Sequence, residues 1–242
     1  MNPVSGGAAL LCSVHVALAT VPRFLELAAG FRGGDPVVVT FYGGKNGSSG
    51  SHHLRWRGKE EGGGALPVVW DEALRQEVEA RLLPELEEGR QLGFVAGVGG
   101  SKKSQITHVY GLRAEIDLPD SHELQRQVYA AVEERYGIRF TLLDTGGKSL
   151  HAWIAAAAAI PVEQYSLTSK RWHELIVETA QKVGLDLPKG PDGACHAPTQ
   201  VMRLPGAVHR KSRKVAEVIQ WGEGPVALKA LGLDWPQVEE WA

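Results

Sequence analysis

Two hydrophobic periods run along this chain, and their order predicts its elements. Leu74, Val78 and Leu82 recur at the i, i+4, i+8 spacing of one helix face, with Asp71 placed to cap the helix and Pro84 to end or kink it. Leu124, Val128 and Val132 mark a second helix over about 122–136, preceded by Pro119-Asp120-Ser121 and closed by Gly137. A third is expected over about 169–183, ended by Gly184, and the apolar first thirty residues are expected to be helical in part, best over 21–31. Between these lie β-branched or alternating runs that read as strands: 37–42, 92–98, 106–118, 138–143, 149–156, 201–204 and 215–221. The Gly- and Ser-rich stretch 43–64, carrying Lys45, Arg55 and Arg57, reads as a loop or short hairpin. Residues 99–104 read as a flexible basic turn, 187–199 as a Pro- and Gly-rich connection, and two short helical pieces close the chain. Helices and strands interleave with hairpin-like turns and no internal repeat, which favours an α+β class over a doubly wound parallel sheet.

Composition changes this picture little. A chain of 242 residues can bury a full core, as one large domain or two fused subdomains. Its 43% hydrophobic and 22% charged residues are ordinary for a soluble globular protein. Two cysteines, Cys12 and Cys195, are too few for a disulfide framework or a four-thiolate zinc site and suit a reducing, cytoplasmic setting. The apolar run 8–19 is interrupted by Ser13 and His15; it is too short for a membrane span and has the wrong flank for a signal peptide. A net charge of −2 argues mildly against a dedicated nucleic-acid binder. Charge is segregated, however: acids crowd 71–88, while Arg203, Arg210, Lys211, Arg213 and Lys214 fall in one short stretch.

The candidate chemistry lies in three places. On a strand leading into Pro119, Ala114, Ile116 and Leu118 would face a core while Glu115 and Asp117 face out together. Adjacent carboxylates repel unless a cation sits between them, and a hard divalent metal with oxygen ligands is the usual occupant; two solvated acids are the plainer reading. Next, Thr145-Gly-Gly-Lys-Ser-Leu-His151 resembles the end of a phosphate-binding P-loop. That reading fails, because Leu142 stands where Gly is needed and 149–154 alternates like a strand instead of opening a helix. What remains is a Gly146-Gly147 turn with amides open to an anion, Lys148 at its tip, and Ser149 and His151 on one strand face. Third, Asp192 opens a segment running through Arg203, a Pro-Gly turn and Lys211, whose cations suit phosphate contacts.

In this order and spacing the three stretches resemble the archaeo-eukaryotic primase (AEP) superfamily, in its primase-polymerase branch. That family carries an acid-x-acid strand (Glu115-Ile-Asp117), then Gly-Gly-Lys-Ser-x-His (Gly146 to His151), then an Asp-led segment ending in Arg-x-Pro-Gly and a later Lys (Asp192 through Arg203 to Lys211). The match covers about the C-terminal half; Glu115 stands where Asp is commoner, and His209 where Asn is commoner. The resemblance implies an N-terminal α/β lobe over 1–104, an RRM-like antiparallel catalytic sheet over 105–225 and a helical tail over 226–242. It implies a template-directed DNA primase or polymerase acting by two-metal catalysis in a plasmid, phage or other mobile or defence element. Glu115, Asp117 and Asp192 would bind Mg²⁺ or Mn²⁺, and Gly146, Gly147, Lys148, Ser149, His151, Arg203 and Lys211 the triphosphate of an NTP or dNTP. His151 would join the three acids as a catalytic residue. Partners would be a DNA template and a helicase, fused or separate, without a membrane, in nucleoid-associated cytoplasm. Zinc on Cys195, His196 and His209 is disfavoured, since no second Cys is near. The alternative function is a catalytically weak replication initiator or single-stranded nucleic-acid-binding module. Three acids kept together with His151 favour the enzyme. A rolling-circle nicking protein would need a His-hydrophobe-His pair that the chain lacks.

Overall fold

Antiparallel pairing sorts the strands into two sheets that meet over one aromatic contact. The computed structural model describes residues 4–32, 35–43, 49–55, 72–88, 90–119 and 121–233, without the side chains of 4–9, 11, 53–55 and 72–75. The first sheet has the order β2-β1-β3-β8, with β1 Pro36–Gly43, β2 Gly50–Arg55, β3 Arg90–Val95 and β8 Val201–Arg203. The second has the order β4-β5-β7-β6-β9, with β4 Gly97–Val98, β5 His108–Glu115, β6 Thr141–Asp144, β7 Leu150–Pro161 and β9 Glu217–Gln220. Among the described residues five α-helices pack around them: α1 Val4–Leu18, α2 Val21–Leu27, α3 Glu72–Glu87, α4 His122–Tyr136 and α5 Val162–Lys182. The class is α+β, as the interleaved pattern predicts.

The run expected as one strand over 92–98 is divided. At Ala96 the chain leaves the first sheet and enters the second, so β3 and β4 belong to different sheets. Gly97 permits the crossing, since a Cβ there would come within 2.6 Å of the Ile106 side chain. The hairpin reading of 43–64 holds in that β2 pairs with β1, Val39 opposite His52. Lys45, Arg57 and the cap at Asp71 lie outside the described residues, as does the Arg55 side chain. Helix α3 runs past Pro84 to Glu87. Its last turn is held by Glu85, which is buried and bonded to His52 and Arg90.

Alternation on the second sheet divides its two faces. Leu112, Ala114 and Ile116 share one face with Leu142, Ala152 and Ile154 and are buried against Val128 and Val132 of α4 and Trp172 and Ile176 of α5. Arg113 and Glu115 share the other with Trp153 and His151. On that face Trp153 stacks on Phe94 of β3 at 5.4 Å and meets Phe24 of α2 edge-on at 5.8 Å, joining both sheets to α2. Helix α5 starts at Val162 rather than about 169, directly after β7, which runs through Ala155–Ala159 to Pro161. The alanines are held extended by pairing: Val226 bonds the backbone of Ala155 and Ala157, and Arg32 donates to the Ala157 carbonyl. A register shift opposite Tyr110 absorbs the extra residues. Of the closing segment, the described part is a single 3₁₀ turn, Leu228–Leu231; residues 234–242 lie outside the description. Among the described residues no helix is long and apolar enough to cross a membrane.

β8 brings Arg203 to the first sheet by pairing with Gly93. A Cβ on Gly93 would lie 2.4 Å from Val201 Cγ1 and 2.9 Å from the Met202 carbonyl oxygen. Gly93→Ala is therefore expected to push β8 off β3 and cost about 1–3 kcal/mol, read as a lower urea midpoint.

Candidate active site

The acid-bearing face of the second sheet is left open beyond Trp153, where it forms one wall of a cleft of roughly 300 Å³. The other wall is the end of the first sheet, with Tyr42, Gly93 and Arg203. Glu115 ends β5 directly opposite His151 on β7. Ser149 Oγ donates to one of its oxygens at 2.7 Å, and His151 Nε2 lies 3.2 Å from the other. Burial alone would raise the Glu115 pKa. The His151 imidazole, the bonds from His151 and Ser149, and the Arg203 guanidinium outweigh it and hold the carboxyl at about 2. His151 is 5% exposed, and its Nδ1 is buried with no hydrogen-bond partner among the described residues.

Asp117 lies two residues past the strand end, with Lys148 Nζ 2.8 Å from its carboxylate. That bond raises the Lys148 pKa although the ammonium is exposed. The 145–147 turn is stitched internally: Gly146 N–H donates to Asp144, Gly147 N–H to Thr145 Oγ1, and Thr145 Oγ1 to the Ser149 carbonyl. Where the sequence suggests open amides, both are engaged in this conformation. Arg203 crosses from the first sheet and donates to the Thr145 carbonyl at 2.7 Å. His209 also lines the cleft, its pKa lowered by burial and by Arg203 and Lys211.

Glu115, Asp117, Gly147, Lys148, Ser149, His151 and Arg203 thus share one cleft. Asp192 is joined to it by its backbone, its N–H donating to the Glu115 carbonyl at 2.7 Å. Its carboxylate accepts from Ala194 N–H and opens on a smaller cavity shared with Asp117 and Lys189. Gly146 backs the turn from behind, and Lys211 is exposed on a hairpin at the rim. In kind, the oxygen donors suit a hard divalent cation, and the Lys148 ammonium already answers the charge of Asp117. Among the described residues no three His, Cys, Asp or Glu side chains gather as a metal-binding group. Cys195 is buried, which raises its pKa to about 12; His196 bonds His173 at 2.9 Å, and His209 stands in the cleft.

No protein-family model matches the sequence, and no curated protein matches it. Solved structures do. The catalytic domain of primase RepB′ in complex with initiator DNA aligns over 95% of both chains with 13% identity and a TM-score of 0.54. Primase RepB′ itself aligns over 94% of this chain and 62% of its own, again at 13% identity, with a TM-score of 0.55. The chain has the archaeo-eukaryotic primase-polymerase fold. The AEP domain of the cyanophage S-2L primase-polymerase aligns over 92% of this chain and 97% of its own at 20% identity, with a TM-score of 0.46.

Two supports of the cleft are not evident from sequence motifs. Gln125 of α4 is fully buried; its amide donates to Ser121 Oγ and the Lys148 carbonyl, and its oxygen accepts from Leu150 N–H. It therefore clamps the backbone on both sides of Ser149. Its one signal is position, since Gln125 falls on the stripe of Val128 and Val132. Arg113 shares the face of Glu115 and is fully buried over Tyr165 and Trp153. It donates to the Ala197 carbonyl and so pins the end of the segment that starts at Asp192. Its burial depends on Trp153 of β7 and Tyr165 of α5, which no local pattern around Arg113 records.

Gln125→Leu keeps the volume but strips partners from the Lys148 carbonyl and Leu150 N–H. It is expected to lower stability by about 1–3 kcal/mol and to speed amide exchange at Leu150. The depressed Glu115 pKa lies below its ordinary value of 4.5, so the stability it contributes is present above that value and lost as pH falls through about 2. Glu115→Gln does not titrate there. It is expected to show a smaller fall in urea midpoint than the wild type between pH ~5 and pH ~3.

Proposed function

We propose that the chain is a template-directed nucleotidyltransferase, a DNA primase, polymerase or both, that adds nucleoside triphosphates to a 3′-hydroxyl. The observation that carries this reading is the sorting of charge in one cleft. Glu115 and Asp117 stand in contact with Ser149, His151 and Lys148 on one wall, with Arg203 on the other, around a space open to a ligand. Lys148, Ser149, His151 and Arg203 would bind the triphosphate, the guanidinium and ammonium meeting oxygens that carry most of its charge. Without substrate, Lys148 neutralises Asp117; a triphosphate competes for the same ammonium and frees the carboxylate. Ser149 and His151 keep Glu115 ionised and oriented. Mg²⁺ or Mn²⁺ held by Glu115, Asp117 and Asp192 would supply charge neutralisation on the triphosphate and activation of the attacking hydroxyl. Catalysis is then chiefly positioning and electrostatic stabilisation. The RepB′ catalytic domain with initiator DNA supports a polynucleotide as partner. A helicase, fused or separate, belongs to the same reading.

A second reading, a catalytically weak initiator or single-strand-binding module on the same fold, is favoured by one observation. The Asp192 carboxylate caps its own turn rather than joining Glu115 and Asp117. Extension of a labelled primer–template with NTPs and dNTPs, in Mg²⁺ and in Mn²⁺, separates the two. The enzyme reading expects metal-dependent extension that falls by ~100-fold or more in Asp117→Ala. A wild-type chain that binds the template and extends nothing with either metal leaves the binding module.

A further inference from the structure

The basic run at 210–214 is built into a defined device. Val208 bridges Val215, His209 N–H donates to the Lys214 carbonyl at 2.8 Å, and Arg213 N–H donates to the His209 carbonyl at 2.9 Å, closing a tight hairpin. Its tip carries Arg210, Lys211, Arg213 and Lys214, all exposed and with no acid among them, in a chain whose net charge is −2. Among the described residues none of these four makes an ion pair. A solvated charge run would end there.

Two further observations point to a ligand. The hairpin is fastened to the turn that bears Lys148. Ser212 Oγ donates to the Gly146 carbonyl, and Gly146, at φ 70°, backs so closely on Lys214 that a Cβ would meet its carbonyl oxygen at 2.8 Å. The hairpin also stands between two openings. On one side His209 lines the cleft; on the other Arg213 and Lys214 line a groove of about 330 Å³ with Asp144, Gly146, Val215 and Glu217. A row of unpaired cations thus links the cleft mouth to a surface groove. A chain with one negative charge at each unit, continuing out of the cleft, satisfies that row; a single nucleotide does not.

We propose that the 208–215 hairpin holds the phosphate backbone of a single-stranded polynucleotide where it passes the rim of the cleft. This rests on the nucleic-acid reading of the cleft and extends it to a second, sequence-independent contact. Because the hairpin is tied to Gly146, strand and nucleotide are gripped by one rigid unit.

The test is fluorescence anisotropy with labelled single-stranded DNA and RNA of equal length, over a salt series, with polyglutamate as a polyanion lacking phosphate. The variant is Arg210→Ser, Arg213→Asn and Lys214→Ser together. Asn is chosen because residue 213 has φ 59°, which Asn tolerates, and Lys211 is left intact. If the hairpin holds phosphates, the slope of log affinity against log salt falls by about 0.7 per lost contact, about 2 in all, for DNA or RNA. Affinity for a fluorescent nucleoside triphosphate stays unchanged. An unchanged slope, or polyglutamate bound as tightly as the nucleic acids, overturns the hairpin assignment while the cleft reading stands. A wild-type chain that binds neither nucleic acid overturns both. If the triple variant melts early, Arg210→Glu alone is expected to lower DNA affinity at an unaltered melting temperature, and an unchanged affinity there overturns the assignment.

Discussion

The register of β5 on β7 is the constraint from which both core and cleft follow. With Ala114 opposite Ala152 and Glu115 opposite His151, Leu112, Ala114, Ala152 and Ile154 face the core under α4 and α5, while Glu115, His151 and Trp153 lie on the other face. A slip of one residue would turn Glu115 into the apolar layer against Val128 and Trp172 and expose Ala114 and Ile154. Burying a carboxylate without a partner costs far more than the few kcal/mol that hold a fold together, so this register excludes its neighbours. On the face of Glu115, Trp153 closes the aromatic contact to Phe24 and Phe94. One face thus serves as interior at one end and as cleft wall at the other.

The two sheets share an apolar core around Trp153 and Phe94, and at the cleft their walls are held by directed bonds. Arg203 reaches from β8 to the Thr145 carbonyl, and Ser212 reaches from the hairpin to Gly146. The turn before Lys148 is therefore fixed from the first sheet, from the hairpin and, through Gln125, from α4. Such a turn has little freedom, and its ammonium and hydroxyl are presented at set distances from Glu115 and Asp117. Low reorganisation of this kind is what stabilisation of a developing negative charge requires.

Much of this was legible along the chain. The alternation up to Glu115, the stripe of α4, its stop at Gly137 and the strand character of 149–154 appear as read, because each depends on contacts only a few residues apart, whereas the strand read as running to 118 ends at Glu115 and leaves Asp117 beyond it. The failures share a cause. The strand read over 149–156 continues to Pro161, because Val226 and Arg32, distant in sequence, satisfy the backbone of Ala155 and Ala157. The break at Ala96 depends on which sheet each half joins, and no local pattern records that. The position of Asp192 beside the backbone of Glu115 follows from the path of a loop that has no periodicity at all.

By itself the sequence determined the α+β class, most elements and the residue types able to handle phosphate, since local sterics and side-chain spacing decide these. Tertiary structure alone decided that Lys148 pairs with Asp117, that Arg203 spans two sheets, that Gln125 and Arg113 are buried supports, and that the cations of 210–214 stand together on the rim. Charge, desolvation and hydrogen bonding act through space over a few ångströms, whereas the residues they join here lie up to 125 positions apart along the chain. Only the folded pairing of strands brings such groups within reach, and only then does an ordinary side chain acquire a site's chemistry.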